Sequence, residues 1–108
     1  MDAKERIARR VAKELKDGDL VNLGIGLPTL VADYIPNDVE VVLQSENGMI
    51  GMGDLVKGEH NRHLTNAGGN SVQLHNFGCC FDSSFSFALI RGGHVDVSIL
   101  GTLEVDQY

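Results

Sequence analysis

Residues 20–35 read LVNLGIGLPTLVADYI. An apolar run around Asn22 meets two glycines, Gly24 and Gly26, and a second apolar run then opens at Pro28. That succession predicts a buried strand, a tight turn and a short helix with Pro28 at its first position. A strand handing over to a helix is half of a β-α-β unit, so the fold class depends on whether the alternation continues on both sides.

It does. Upstream, residues 2–19, DAKERIARRVAKELKDGD, begin with Asp2 followed three positions later by Glu5, a capping-box start. Ile7, Ala8, Val11 and Leu15 then recur at helical spacing, and Gly18 supplies the stop. Downstream, VEVVLQ (39–44) is a second strand that runs into a glycine-rich loop carrying Glu46. Residues 54–63 form a polar surface excursion, and HLTNAGGNSVQLH (63–75) gives two short strands about a Gly-Gly turn. SSFSFALIRGG (83–93) is a helix with a serine cap, with Phe81, Phe85, Phe87, Leu89 and Ile90 assigned to the core. HVDVSILG (94–101) is the last strand, with His94 packed at its start. The pattern predicts one α/β domain over residues 1–108, an open, mainly parallel sheet with flanking helices. GTLEVDQY (101–108) follows that strand with no helix after it, although parallel sheets are covered on both faces. The domain therefore reads as truncated, or as completed by a partner.

Composition narrows the function classes. With 43% hydrophobic residues the chain is globular, and its net charge of −6 offers no footprint for nucleic acid or an anionic membrane. Six of the nine basic residues lie in the first sixteen positions, mixed with Asp2, Glu5 and Glu14, which is the pattern of a solvated helix face. The N-terminus has no apolar core of a signal peptide, and LVNLGIGLPTLVA (20–32) is too short to span a bilayer. A cytoplasmic protein is expected. Cys79 and Cys80 are adjacent and read as reduced thiols, and with only His75 nearby they lack the spacing of a metal site.

Glycine is the outlier, with 13 residues in 108, grouped at 24/26, 48/51/53, 68/69 and 92/93. The group at 48, 51 and 53 surrounds Glu46, at the end of an apolar strand where a carboxylate is costly to keep. Two readings of Glu46 stand. It is turn glue, bonding its own loop amides, or it is a nucleophile whose neighbouring glycines admit a substrate and offer backbone N–H groups to developing charge. Gly24 and Gly26 form either a plain strand-to-helix turn or a close approach to a phosphate or pantetheine. A triad from Ser83, Ser84 or Ser86 with His94 lacks a nucleophile elbow, and Ser83 is better used as a cap. Arg91 complements the end of its helix.

Several of these stretches together resemble one family. SENGMIGMG (45–53) is similar to the SENG active-site signature of the β subunit of family I CoA-transferases. IARRVAKELKDGDLVNLGIGLPTLVADYIP (7–36), NAGG (66–69) and FDSSFSFALIRGGHVDVSILGTLEVDQY (81–108) match the same subunit in order. The likeness is greatest to short-chain enzymes that move CoA between acetoacetate, acetate and butyrate. It departs over residues 54–80, and the family's β subunit continues for about as long again, into a further glycine segment.

The resemblance implies a ping-pong transferase in which Glu46 is the nucleophile and carries CoA as a glutamyl thioester. Asn47, Gly48, Gly51, Gly53, Gly24 and Gly26 are implied as substrate-binding or site-shaping positions. Coenzyme A is implied as a substrate, with no resident cofactor or metal. The implied partners are an α subunit in a homo- or hetero-oligomer, an acyl-CoA and a carboxylic acid. Two rivals are a non-catalytic fragment or interaction module of the same fold, and a sugar-phosphate-binding relative from the same superfamily, for which Lys57, Arg62 and Arg91 are the available cations outside the first helix.

Overall fold

The computed structural model of the chain describes residues 2–57 and 63–108. Helix α1 (Ala3–Ala12) starts as its sequence dictates, with the Asp2 carboxylate accepting from the Glu5 amide at 2.8 Å. It ends at Ala12, six residues before the expected stop. The Lys13, Glu14 and Leu15 amides turn back three residues instead of four, and this tightening brings Leu15 into the core. Gly18 forms the following turn at φ +89°.

Strand β1 (Leu20–Leu23) leads through Gly24 and Gly26 into α2 (Leu27–Leu30) and a 3-10 turn, Val31–Tyr34. Gly26 is the residue before the helix, which moves Pro28 to its second position. Strand β2 (Val42–Ser45) lies parallel to β1, with Leu23 beside Ser45. The α/β alternation is as expected to this point.

The glycine-rich segment departs from the expectation. Residues 49–55 are a strand, β3 (Met49–Leu55), that returns antiparallel along β2 with Ser45 opposite Met49. Gly51 and Gly53 therefore lie within a strand and not in a loop. β3 pairs on its other side with β4 (Val72–Cys80), again antiparallel, through register shifts on both sides of Met52. A Cβ at Gly51 would come within 2.7 Å of the Gly78 Cα, so the two strands approach there without side chains between them. The polar excursion assigned to 54–63 begins inside β3, and its residues 58–62 lie outside the described ones. Of the two short strands expected over 63–75, the first is a single bridge from Thr65 to Ser71, and the second is the start of the nine-residue β4.

Helix α3 (Ser83–Arg91) is capped by Asp82 and not by Ser83: the Asp82 carboxylate accepts from the Phe85 amide at 2.7 Å. An Asp82→Ala variant should lose about 1 kcal/mol of stability, read as a lower denaturant midpoint with an unchanged slope. Strand β5 (Val97–Ile99) closes the order β4-β3-β2-β1-β5, parallel to β1. Four of the five strands point one way and β3 alone is reversed, an open and mostly parallel sheet.

One face of the sheet carries Val21, Leu23 and Ile99 into a core with Ala8, Ala12, Leu15 and Val31. The opposite face carries Asn22 and Gln44 side by side, and α3 lies against it through Ser86. The expected aromatic core of α3 is not formed. Phe85 and Phe87 are 53% and 36% exposed, while Ser86 is fully buried. The sheet presents amides to this helix, so its serine faces inward and its phenylalanines face out. His94 is exposed as well, beyond the end of α3.

Candidate functional site

Glu46 occupies the tip of the β2–β3 hairpin. The turn is Glu46-Asn47-Gly48, closed by the Gly48 amide donating to the Ser45 carbonyl at 3.0 Å. Because β1 and β2 are parallel with Leu23 abreast of Ser45, the Gly24–Gly26 turn and the Glu46 tip emerge at the same end of the sheet. Ile99 pairs with Leu23 there as well, and its carbonyl accepts from the Gly24 amide at 3.0 Å. The carboxyl ends of three parallel strands thus meet around Glu46, the place where open α/β sheets hold ligands.

The turn is held from two sides. Asn47 accepts from the Ser45 hydroxyl and donates from Nδ2 to the Thr65 carbonyl at 2.8 Å. Gly48 accepts at its carbonyl from the Phe81 amide at 2.9 Å, at the entry to α3. A Cβ on Gly48 would lie 2.0 Å from the Phe81 oxygen, so only glycine allows this contact, and its φ of +135° asks for glycine independently. Asn66 supports Thr65 from behind. It is buried, and its Oδ1 accepts from the Gly68 and Asn70 amides at 3.0 Å each.

Glu46 itself is half-buried, and among the described residues its carboxylate makes no hydrogen bond or ion pair. The part of turn glue, one of the two readings of this glutamate, is taken by Asn47. A carboxylate on a braced turn with its oxygens unengaged can attack an electrophile without first breaking a bond.

Under the tip lies a buried polar row. Gln44, fully buried, donates from Nε2 to the Ser86 hydroxyl at 3.0 Å and to the Ser86 carbonyl at 3.2 Å. The Ser86 hydroxyl donates in turn to the Ser45 carbonyl at 3.5 Å. Asn22 Nδ2 and Gln44 Oε1 are buried without partners among the described residues, a cost of about 1–3 kcal/mol each. Sequence reading missed Gln44 as a site residue and weighed Ser86 only for a triad with His94. The one available signal was a glutamine inside an otherwise apolar strand, two residues before Glu46.

The remaining candidates are scattered. Gly51 and Gly53 run down β3 away from the tip. Ser86 is committed to Gln44 and Ser45, and His94 lies past the far end of α3, so among the described residues these serines and His94 form no triad. Lys57 lies beyond Leu55, the end of β3 opposite Glu46, about 20 Å along the strand. Arg91 is in the last turn of α3 over the Phe87 ring, and Arg62 lies outside the described residues. The two described cations of the sugar-phosphate reading therefore stand away from the strand ends.

Cys79 and Cys80 are free and exposed, and no described cluster of three or more His, Cys, Asp or Glu could hold a metal ion. No described helix is long and apolar enough to cross a membrane. A cavity of about 320 Å³ lies between the α2 region and strands β2 to β4, lined by Leu43, Met52, Val72, Asn66 and His75 among others. Glu46 does not line it, so its size does not mark it as the place of chemistry.

The profile of the coenzyme A transferase family matches residues 4–108. The chain is 59% identical over 107 residues to the beta subunit of the acetate CoA-transferase of Haemophilus influenzae, covering 99% of this chain and 48% of that protein. It is 56% identical to the beta subunit of the acetate CoA-transferase of Escherichia coli, again covering 99% of this chain and 49% of that one. One subunit of a probable succinyl-CoA:3-ketoacid coenzyme A transferase of Bacillus subtilis is 49% identical, with 98% of this chain and 50% of that one covered. The chain spans about half the length of these curated relatives.

Proposed function

Because the chain belongs to the coenzyme A transferase family, we propose that it supplies the nucleophile-bearing part of a β subunit that moves CoA from a short-chain acyl-CoA to a carboxylic acid, and that Glu46 is the nucleophile. The observation that carries the proposal is the Glu46 carboxylate, unengaged among the described residues on a turn braced by Asn47 and Gly48 at the carboxyl ends of three parallel strands.

In the proposed cycle a Glu46 oxygen attacks the thioester carbonyl, the C–S bond breaks, and an acyl-glutamyl anhydride and CoA thiolate form. The thiolate then attacks the glutamyl carbonyl, releasing the first acid as its carboxylate and leaving CoA on Glu46 as a thioester. An acceptor carboxylate runs the same two steps in reverse. No net proton is consumed, and the activation of the thioester is conserved through each acyl exchange. The braced turn contributes geometry: it fixes the backbone on which the glutamate must reach two successive carbonyl carbons. Gly24, Gly26, Asn47 and Gly48 surround the tip and shape the approach of substrate, while Gly51 and Gly53 act at a distance through the β3–β4 pairing.

The relatives are named as single subunits of their enzymes, and from these names we take an α subunit as the partner and acetate or a 3-oxoacid as the acid class. The test is the intact mass of the full-length β polypeptide in its native assembly after exposure to acetoacetyl-CoA. A gain of CoA less water, mapped to Glu46 and discharged by acetate, is expected. The absence of any adduct, or an adduct on another residue, would remove Glu46 from the role.

A further inference from the structure

Ser45 is the last residue of β2, and its carbonyl is where three elements meet. It accepts from the Gly48 amide, which closes the Glu46 turn, and from the Ser86 hydroxyl, which belongs to α3. Ser86 is oriented in turn by Gln44, whose Nε2 donates to both its hydroxyl and its carbonyl. A serine hydroxyl has one proton, and the arrangement uses it fully: Oγ accepts from Gln44 and donates to Ser45.

Both residues are completely buried. An apolar pair of the same volume would avoid the unpartnered Gln44 Oε1, so packing alone gives no reason for a glutamine here. The polar row stands two residues before Glu46 on the same strand, and it joins that strand to the only helix described on this face of the sheet.

We propose that Ser86, oriented by Gln44, is a positioning residue: through the Ser45 carbonyl it fixes the turn that presents Glu46. The proposal rests on Glu46 being the nucleophile, and it concerns a contact 41 residues away in sequence that does not touch the substrate. Removing it leaves the carboxylate and the substrate contacts in place but lets the turn shift. A displacement of about 1 Å in a reacting group costs on the order of a hundredfold in rate.

The experiment uses the full-length β subunit assembled with its partner, as Ser86→Ala, Gln44→Leu and the double variant, with Asp2→Ala as a control that removes the cap of α1 away from the turn. Two quantities are read per folded molecule: the rate and half-saturation of CoA-adduct formation from acetoacetyl-CoA, and hydrogen exchange at the Gly48 amide. Each single variant is expected to slow adduct formation by about ten- to a hundredfold, to keep half-saturation within about twofold and to speed Gly48 exchange. The double variant should be no slower than the singles, because the two residues act as one unit. Adduct rates within about twofold of wild type in both single variants, or an equal loss in Asp2→Ala, would overturn the positioning role. A wild-type assembly that forms no adduct would instead overturn Glu46 as nucleophile. Gly48 exchange then still decides the link, since faster exchange in Ser86→Ala supports it and unchanged exchange refutes it.

Discussion

Glu46→Ala is expected to abolish the CoA adduct and lower turnover of the assembled enzyme by about 10⁴- to 10⁶-fold, the range seen when the nucleophile of a covalent mechanism is deleted. The same change should leave stability nearly untouched, because the side chain is half-buried and makes no bond among the described residues whose loss would cost free energy. This separation of activity from stability is the informative part of the result. A glutamate that served as turn glue would show the reverse, a destabilised fold with activity falling in proportion. Glu46→Asp refines the prediction. It keeps the carboxylate but withdraws it by one methylene on a turn that Asn47 and Gly48 hold still, so the adduct should form about a hundredfold more slowly. Single-turnover mass spectrometry distinguishes the two variants, and an aspartate variant as fast as wild type would show that the turn does not dictate reach.

The second large effect falls on Gly48. An alanine there would put its Cβ 2.0 Å from the Phe81 oxygen, in a backbone conformation at φ +135° that L-residues seldom adopt. The backbone conformation alone costs about 1–3 kcal/mol, and relieving the clash separates the hairpin tip from the entry to α3, breaking the bond from the Phe81 amide to the Gly48 carbonyl. Gly48→Ala should therefore lose about 3 kcal/mol or more, a large part of the roughly 5–15 kcal/mol that a domain commonly has. The expected observation is a marked fall in the denaturant midpoint, together with loss of adduct formation in whatever protein remains folded. A variant as stable as wild type would contradict the close contact between the turn and Phe81. The pairing of effects is diagnostic: Glu46→Ala loses chemistry and keeps the fold, whereas Gly48→Ala loses both.

The two variants also separate what each residue of the turn does. Asn47 and Gly48 have structural tasks visible in their bonds, one toward Thr65 and the other toward Phe81. Glu46 is left over once those tasks are assigned. The inference to a nucleophile begins from that residue being spare, and family membership supplies the chemistry.

Much of the molecule was legible in the order of its residues. The α1 cap at Asp2, the strand and turn of residues 20–26, α3 and β5 all follow from local rules, because capping, glycine turns and apolar periodicity act within a few positions of one another. Family membership and the prominence of Glu46 were legible for the same reason: SENG and its neighbours form a contiguous string.

What stayed hidden was everything set by partners distant in sequence. Gly51 and Gly53 weaken the strand signal of residues 49–55, and only pairing with β2 and β4 makes them a strand and places Glu46 at a hairpin tip. The cap of α3 is the exception, a local choice between neighbours: Asp82 takes it, its carboxylate accepting from the Phe85 amide three residues on, and Ser83 becomes the first residue of the helix. The phenylalanines of α3 look like core in one dimension and face outward in three, because the sheet offers that helix Asn22 and Gln44 in place of an apolar surface. Apolar side chains record the period of their own element, but they do not record what the opposing element presents. The local string thus determined which carboxylate is available, and the parallel register of β1, β2 and β5, with the Ser86 contact from across the sheet, decided where it stands and what holds it there.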